Sequence, residues 1–156
     1  MFDVFSDTKD LSIFEKVFAL NFVTLKDNAE WALGVVTGDN KKFISGSKVK
    51  GSEPILTGKD IKRFITKEAE NFIVFEPKLF QQVAPEEKYR AKEKLLYKFI
   101  SKELVMAYDA NQTLTLNSAN ILIPTVPDYP IKTILALFNS TLYQSINLFI
   151  KRSSGR

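Results

Sequence analysis

The chain has 156 residues, of which 45% are hydrophobic and 13 are phenylalanine, enough for one good core and one domain. Cysteine and histidine are both absent, which excludes disulfides, thiolate metal sites and the Ser-His or Cys-His pairings of nucleophilic catalysis. The net charge of +4 is modest but unevenly placed, since residues 38–64 hold seven bases against three acids and residues 1–30 hold three bases against six acids. Asp3 and Asp7 occupy the positions where a secretory signal needs bases and an apolar run, so none is expected. The apolar C-terminal stretch carries Lys132, Asn139, Ser140, Gln144 and Asn147, too polar to span a bilayer. No membrane contact and a cytoplasmic location are expected.

In chain order, Ser12 and Glu15 have the spacing of a capping box, which predicts a short helix through Leu20 with Ile13, Phe14, Val17, Phe18 and Phe22 toward the core. Residues 22–25 are β-rich and offer a strand as the alternative. Residues 31–36 read as a buried strand, broken by Thr37-Gly38-Asp39-Asn40 and followed by the basic pair Lys41-Lys42. Residues 45–53 read as a mobile, lysine-bearing loop and residues 54–56 as a short strand. Thr57 or Gly58 opens a brief helix with Ile61 and Phe64 inward and Lys59, Lys62 and Arg63 outward. Residues 71–76 predict a strand, 79–83 a helix, and Pro85-Glu86-Glu87 the start of another helical turn. Residues 94–100 alternate as a strand with Leu95, Tyr97 and Phe99 on one face and Lys94, Leu96, Lys98 and Ile100 on the other. Residues 104–108 and 113–116 read as a hairpin-like pair, and 121–123 as one more strand. Ile131, Ile134, Leu135, Phe138, Leu142, Ile146 and Phe149 keep helical spacing, predicting one long helix over 131–151, with a linker after it. The fold class is therefore α/β in the α+β sense: a mixed or antiparallel twisted sheet with flanking short helices and a long C-terminal helix.

Two basic tips, at 37–42 and 57–63, flank apolar scaffold, and residues 88–102 add Lys88, Arg90, Lys92, Lys94, Lys98 and Lys102 against the single acid Glu93. Turn residues that present lysines in this way suit an anionic polymer. The motifs GVVTGDNKKFI, GKDIKRF, EKLLYKFISKELVMAYD, TLNSANILIP and ALFNS, in that order over roughly residues 30–150, resemble the Taq-type C-terminal specificity domain, the target recognition domain of bacterial restriction-modification DNA methyltransferases. The resemblance implies a parent adenine-N6 methyltransferase of type II dependent on S-adenosylmethionine, in some relatives joined to a nuclease. Neither a glycine-rich F-x-G-x-G cofactor loop nor an Asn- or Asp-Pro-Pro-aromatic tetrapeptide occurs. The chain is thus read as a recognition domain without cofactor or catalytic residues of its own, a piece of a larger enzyme, with residues 1–130 as sheet and loops and 131–152 as the C-terminal helix.

The partners implied are double-stranded DNA and the parent's methyltransferase domain. The DNA-binding candidates are Thr37, Asn40, Lys41, Lys42, Lys59, Lys62, Arg63, Arg90 and Lys94. In this reading lysines hold phosphates, Asn40, Arg63 or Arg90 read base edges, and the sheet holds both tips at one groove. The bland alternatives are a solvated turn at 37–42 and, for Arg63, a rim salt bridge to Glu68 or Asp60. Two rival functions stand beside it. A Mg²⁺-dependent nuclease would use Asp60, Glu76 and Lys78, although Pro77 interrupts that pattern. A protein-interaction half of a type I specificity subunit would use the helix over 131–151.

Overall fold

The computed structural model describes residues 8–153. The acids at positions 3 and 7 and the linker reading for residues 154–156 lie outside them.

A first sheet is antiparallel throughout, in the order β1 (Ala29–Ala32), β8 (Ala119–Pro124), β5 (Lys94–Lys98), β6 (Met106–Asp109). A second runs β2 (Ile44–Ser45), β4 (Asn71–Ile73), β3 (Glu53–Leu56), β7 (Leu114–Thr115), with β3 and β7 parallel. Helix α1 (Thr8–Phe18) precedes the first strand, short helices α2 (Asn40–Phe43) and α3 (Glu86–Tyr89) lie against the sheets, and α4 (Ile131–Asn139) and α5 (Thr141–Ser153) close the described chain. The α+β class expected from the sequence is the one observed.

Strand alternation in the first sheet divides its side chains between two cores. Leu96, Ala107 and Ile121 face the second sheet and pack with Ile55, Leu56, Ile73 and Leu114. Leu95, Met106 and Leu122 face the other way, against Ile134, Leu135 and Phe138 of α4. The first sheet is thus the middle layer, its central strands covered on both faces, while Glu30 and Trp31 of the edge strand β1 stay exposed.

Several expected elements differ, each for a tertiary reason. Ser12 lies inside α1 rather than at its cap, and of the side chains expected to be buried there only Phe14 is. Residues 22–25 form no strand. The strand expected over 31–36 is two pieces: β1 ends at Ala32, Trp31 is exposed, and Val35 bridges Leu116 beside the second sheet. The chain crosses between sheets at Gly34, whose N–H donates to Asn120 Oδ1 at 3.2 Å. A Cβ there would sit 2.2 Å from Leu116 O and 2.6 Å from Ala119 O, so only glycine fits. Within 79–83 no helix forms beyond a 3₁₀ turn over Pro77–Leu79, because Gln82 pairs with Val36 in extended conformation. β6 and β7 are not a hairpin but belong to different sheets, the chain turning where Asp109 accepts from the N–H groups of Asn111 and Thr113.

The long C-terminal helix is two helices. Ser140 is extended (φ −67°, ψ 151°), and its hydroxyl accepts from Tyr143 N–H at 3.1 Å, capping α5. The break directs two side-chain amides at one strand edge. Asn139 accepts from Met106 N–H and donates to Met106 C=O, and Gln144 does the same for Leu104. In an unbroken helix, residues five apart would point about 140° away from each other.

Candidate nucleic-acid interface

The first basic tip is a single helical turn. Gly38 turns the chain at φ 80°, the left-handed region, and Asp39 caps α2 by accepting from Lys42 N–H. Lys41, Lys42 and Asn40 are exposed. Thr37 is buried, and its hydroxyl donates to Asn40 Oδ1 at 2.6 Å, so Thr37 positions the Asn40 amide rather than reaching solvent itself. Beneath the turn, Phe43 meets Phe80 edge to face, with ring centroids 5.3 Å apart, and Phe80 meets Phe75.

The second tip is a turn followed by a tight hairpin, not a helix. Asp60 Oδ2 accepts from both Thr57 N–H and Thr57 Oγ1 at 2.7 Å, closing the turn after β3. Ile61 is buried and bridges Thr66, which leaves Lys62, Arg63, Phe64 and Ile65 as the hairpin's end. Lys59 and Lys62 are exposed. Arg63 meets Glu103 at 2.8 Å, not Glu68 or Asp60, and both side chains of that pair are largely exposed, so solvent screens it. Phe64, expected to face inward, is half exposed. Its backbone is held at φ 75° by donating to Met106 C=O and accepting from Tyr108 N–H.

The segment after β7 anchors both tips. Ser118 Oγ accepts from Gly58 N–H at 3.0 Å and Asn120 accepts from Gly34. The residues of TLNSANILIP therefore fix where each tip leaves the scaffold.

Arg90 and Lys94 sit elsewhere. Arg90 forms a two-pronged pair with Glu53 at 2.6 and 2.7 Å, reaches Glu86, and stacks over Phe75. Those acids, Glu53 foremost, hold the guanidinium above its ordinary pKa. Lys94 is fully buried rather than outward-facing. Its ammonium lies 2.7 Å from Asp109 and donates to Tyr89 C=O at 2.7 Å. Burial pulls its pKa below the ordinary lysine value despite the opposing pull of Asp109. The expected alternation holds, Lys94 sharing a face with Leu96, but that face is buried against the second sheet, and Asp109 opposite Lys94 in the ladder receives its ammonium.

Asp60 follows the end of β3, whereas Glu76 follows the end of its antiparallel neighbour β4. The two carboxylates thus lie toward opposite ends of that strand pair, and Asp60 is already engaged by Thr57. Among the described residues no cluster of three metal-ligating side chains occurs.

A family model described as the TaqI-like C-terminal specificity domain matches residues 53–155. The chain belongs to that family. The match takes in the second tip, its Ser118 anchor and both terminal helices of the specificity domain, while the first tip precedes it. The chain is also similar to the type II methyltransferase M.VspI of Vibrio sp. (strain 343), 41% identical over 54 residues. That stretch is 35% of this chain and 13% of the relative, so the specificity domain spans a small part of the length of the curated protein it matches. Among the described residues no helix is long and apolar enough to cross a membrane.

Sequence reasoning missed Phe64 and Ile65 as surface residues and Glu103 as the partner of Arg63. The stretch IKRFIT contains no glycine, asparagine or proline to mark a turn, and its periodicity fits a helix equally well.

Proposed function

We propose that this chain is the DNA target recognition domain of a type II restriction-modification adenine-N6 methyltransferase, and that S-adenosylmethionine binds in the parent's separate catalytic domain. The observation that carries the reading is the second tip: it lies inside the family match and projects Lys59, Lys62 and Arg63 from a turn whose one acid, Asp60, is folded inward onto Thr57. Lys41, Lys42, Lys59 and Lys62 hold phosphates. Asn40, set by Thr37, and Arg63, exchanging Glu103 for a base, read groove edges. Arg90 and Lys94 stay outside this interface, one committed to Glu53 and the other to the interior. The exposed Leu142, Leu148 and Ile150 of α5 supply apolar surface for docking to the methyltransferase domain.

The test is selection from a random duplex pool across a salt series. Enrichment of a short motif, with affinity falling steeply as salt rises, is expected. Arg63→Ala should relax one base pair by about 1–3 kcal/mol, whereas Lys62→Ala should weaken all sequences alike and lower the salt slope by about one unit. No binding even at low salt would reject the reading.

A further inference from the structure

The hairpin over residues 61–66 carries two exposed apolar side chains, Phe64 (46% exposed) and Ile65 (65%), that join neither core cluster. Phe64 is also a bulky residue in left-handed conformation, at φ 75°. Such backbone is costly for any residue with a Cβ, and it persists only where surroundings impose it. Here β6 imposes it through the bonds of Met106 C=O and Tyr108 N–H to the Phe64 backbone, so the ring is fixed in direction at its root. An aromatic ring presented to solvent from a pinned backbone adds nothing to either core. Its neighbours are cationic: Lys59, Lys62 and Lys67 are exposed and have no ion-pair partner among the described residues, and Arg63 has only its exposed pair with Glu103.

Apolar side chains framed by unpaired cations match one polymer closely, a DNA groove whose walls are phosphates and whose floor carries thymine methyl groups. We propose that Phe64 and Ile65 are an apolar base-contacting element, seated on thymine C5-methyl edges while the flanking lysines hold the phosphates on either side. The proposal rests on the target-recognition reading and extends it from charge to shape: the lysines supply affinity for any sequence, and the apolar pair adds discrimination.

Phe64→Gly is the informative variant, because glycine suits φ 75° and keeps the hairpin folded while removing the ring. The full chain is first selected on the random duplex pool. Affinity is then measured for the enriched duplex, for the same duplex with each thymine replaced by deoxyuridine, and for the unselected pool, with Lys62→Ala as the control. Phe64→Gly and Ile65→Ser are expected to lose roughly tenfold in affinity for the enriched duplex, as an apolar base contact would, with the salt slope unchanged and little effect on the unselected pool. Deoxyuridine at one or two positions should reproduce that loss in wild type and add nothing in Phe64→Gly. In a second measurement, duplex bearing 5-iododeoxyuridine in place of thymine is irradiated with the wild-type chain, and the cross-linked peptide is expected to contain Phe64.

If wild type binds and selects DNA and Lys62→Ala weakens it, but Phe64→Gly does not and cross-links map elsewhere, the apolar element is overturned while the recognition reading stands. Equal loss on all sequences with a reduced salt slope would also overturn it. Absence of any DNA binding by wild type would overturn both.

Discussion

Replacing Lys94 by methionine should be one of the most damaging single changes in this domain, and it should act on folding and not on DNA. The ammonium is fully buried, 2.7 Å from Asp109 and 2.7 Å from the Tyr89 carbonyl. Methionine keeps the length of the side chain but leaves the Asp109 carboxylate in the interior with its Thr113 contacts and no counter-charge. Breaking a buried pair from one side costs about 3–5 kcal/mol, a large part of a domain stability of about 5–15 kcal/mol. With a urea dependence of about 2 kcal/mol per M, the midpoint should fall by about 1.5–2.5 M. Adding Asp109→Asn removes the stranded charge, so the double variant should recover about 1–2 kcal/mol over Lys94→Met alone. Lys94 also has a pH signature. Its folded pKa lies below the unfolded value of 10.5, so in the alkaline window under 10.5 the unfolded chain binds more protons at this site and the contribution to stability rises with pH. That slope should vanish in Lys94→Met. A Lys94→Met variant within about 1 kcal/mol of wild type would refute this account of the pair, as would a folded variant whose DNA affinity falls along with its salt slope.

Three further outcomes are expected. Burial raises the Tyr89 phenol above 10.0, and Tyr143 likewise, so stability from these groups is intact below pH 10 and is lost as pH rises through the raised values. Tyr89→Phe should shallow that alkaline loss in a thermal-melt series and cost about 1–3 kcal/mol at neutral pH, by stranding Ala84 N–H and the Leu33 carbonyl. Gly34→Ala drives a Cβ onto two backbone oxygens and should destabilise by about 3 kcal/mol or more, read by chemical denaturation. Arg90→Ala should lower stability by about 1–2 kcal/mol through loss of Glu53 and the Phe75 face, with the selected DNA motif unchanged.

Local signals carried much of the scaffold into view. Residues 94–98 were legible as a strand with alternate side chains on opposite faces, residues 121–123 as an apolar strand, and Pro85 with Glu86 and Glu87 marks α3. What escaped was set by contacts distant in sequence. Nothing near Lys94 reveals that Asp109 faces it across the ladder. The apolar repeat of 131–151 runs straight through the α4–α5 break, although the Ser140 hydroxyl that caps α5 was the available signal. In the candidate site, the lysines of both tips were legible as charge beside turn residues. The orientation of Phe64 was not, since it depends on β6 supplying two backbone partners.

The break at Ser140 has a consequence for solubility. The outer edge of β6 and the residues leading into it would otherwise offer free backbone groups as a template for a strand from another molecule. Asn139 and Gln144 occupy those groups at Met106 and Leu104, and Phe64 occupies the next, Tyr108 N–H. Two helix-borne amides thus act as a surrogate final strand that cannot be extended further. A chain with a continuous helix here would keep its apolar stripe and turn Gln144 away from Leu104, reopening the border at that one point while Asn139 and Phe64 kept theirs closed.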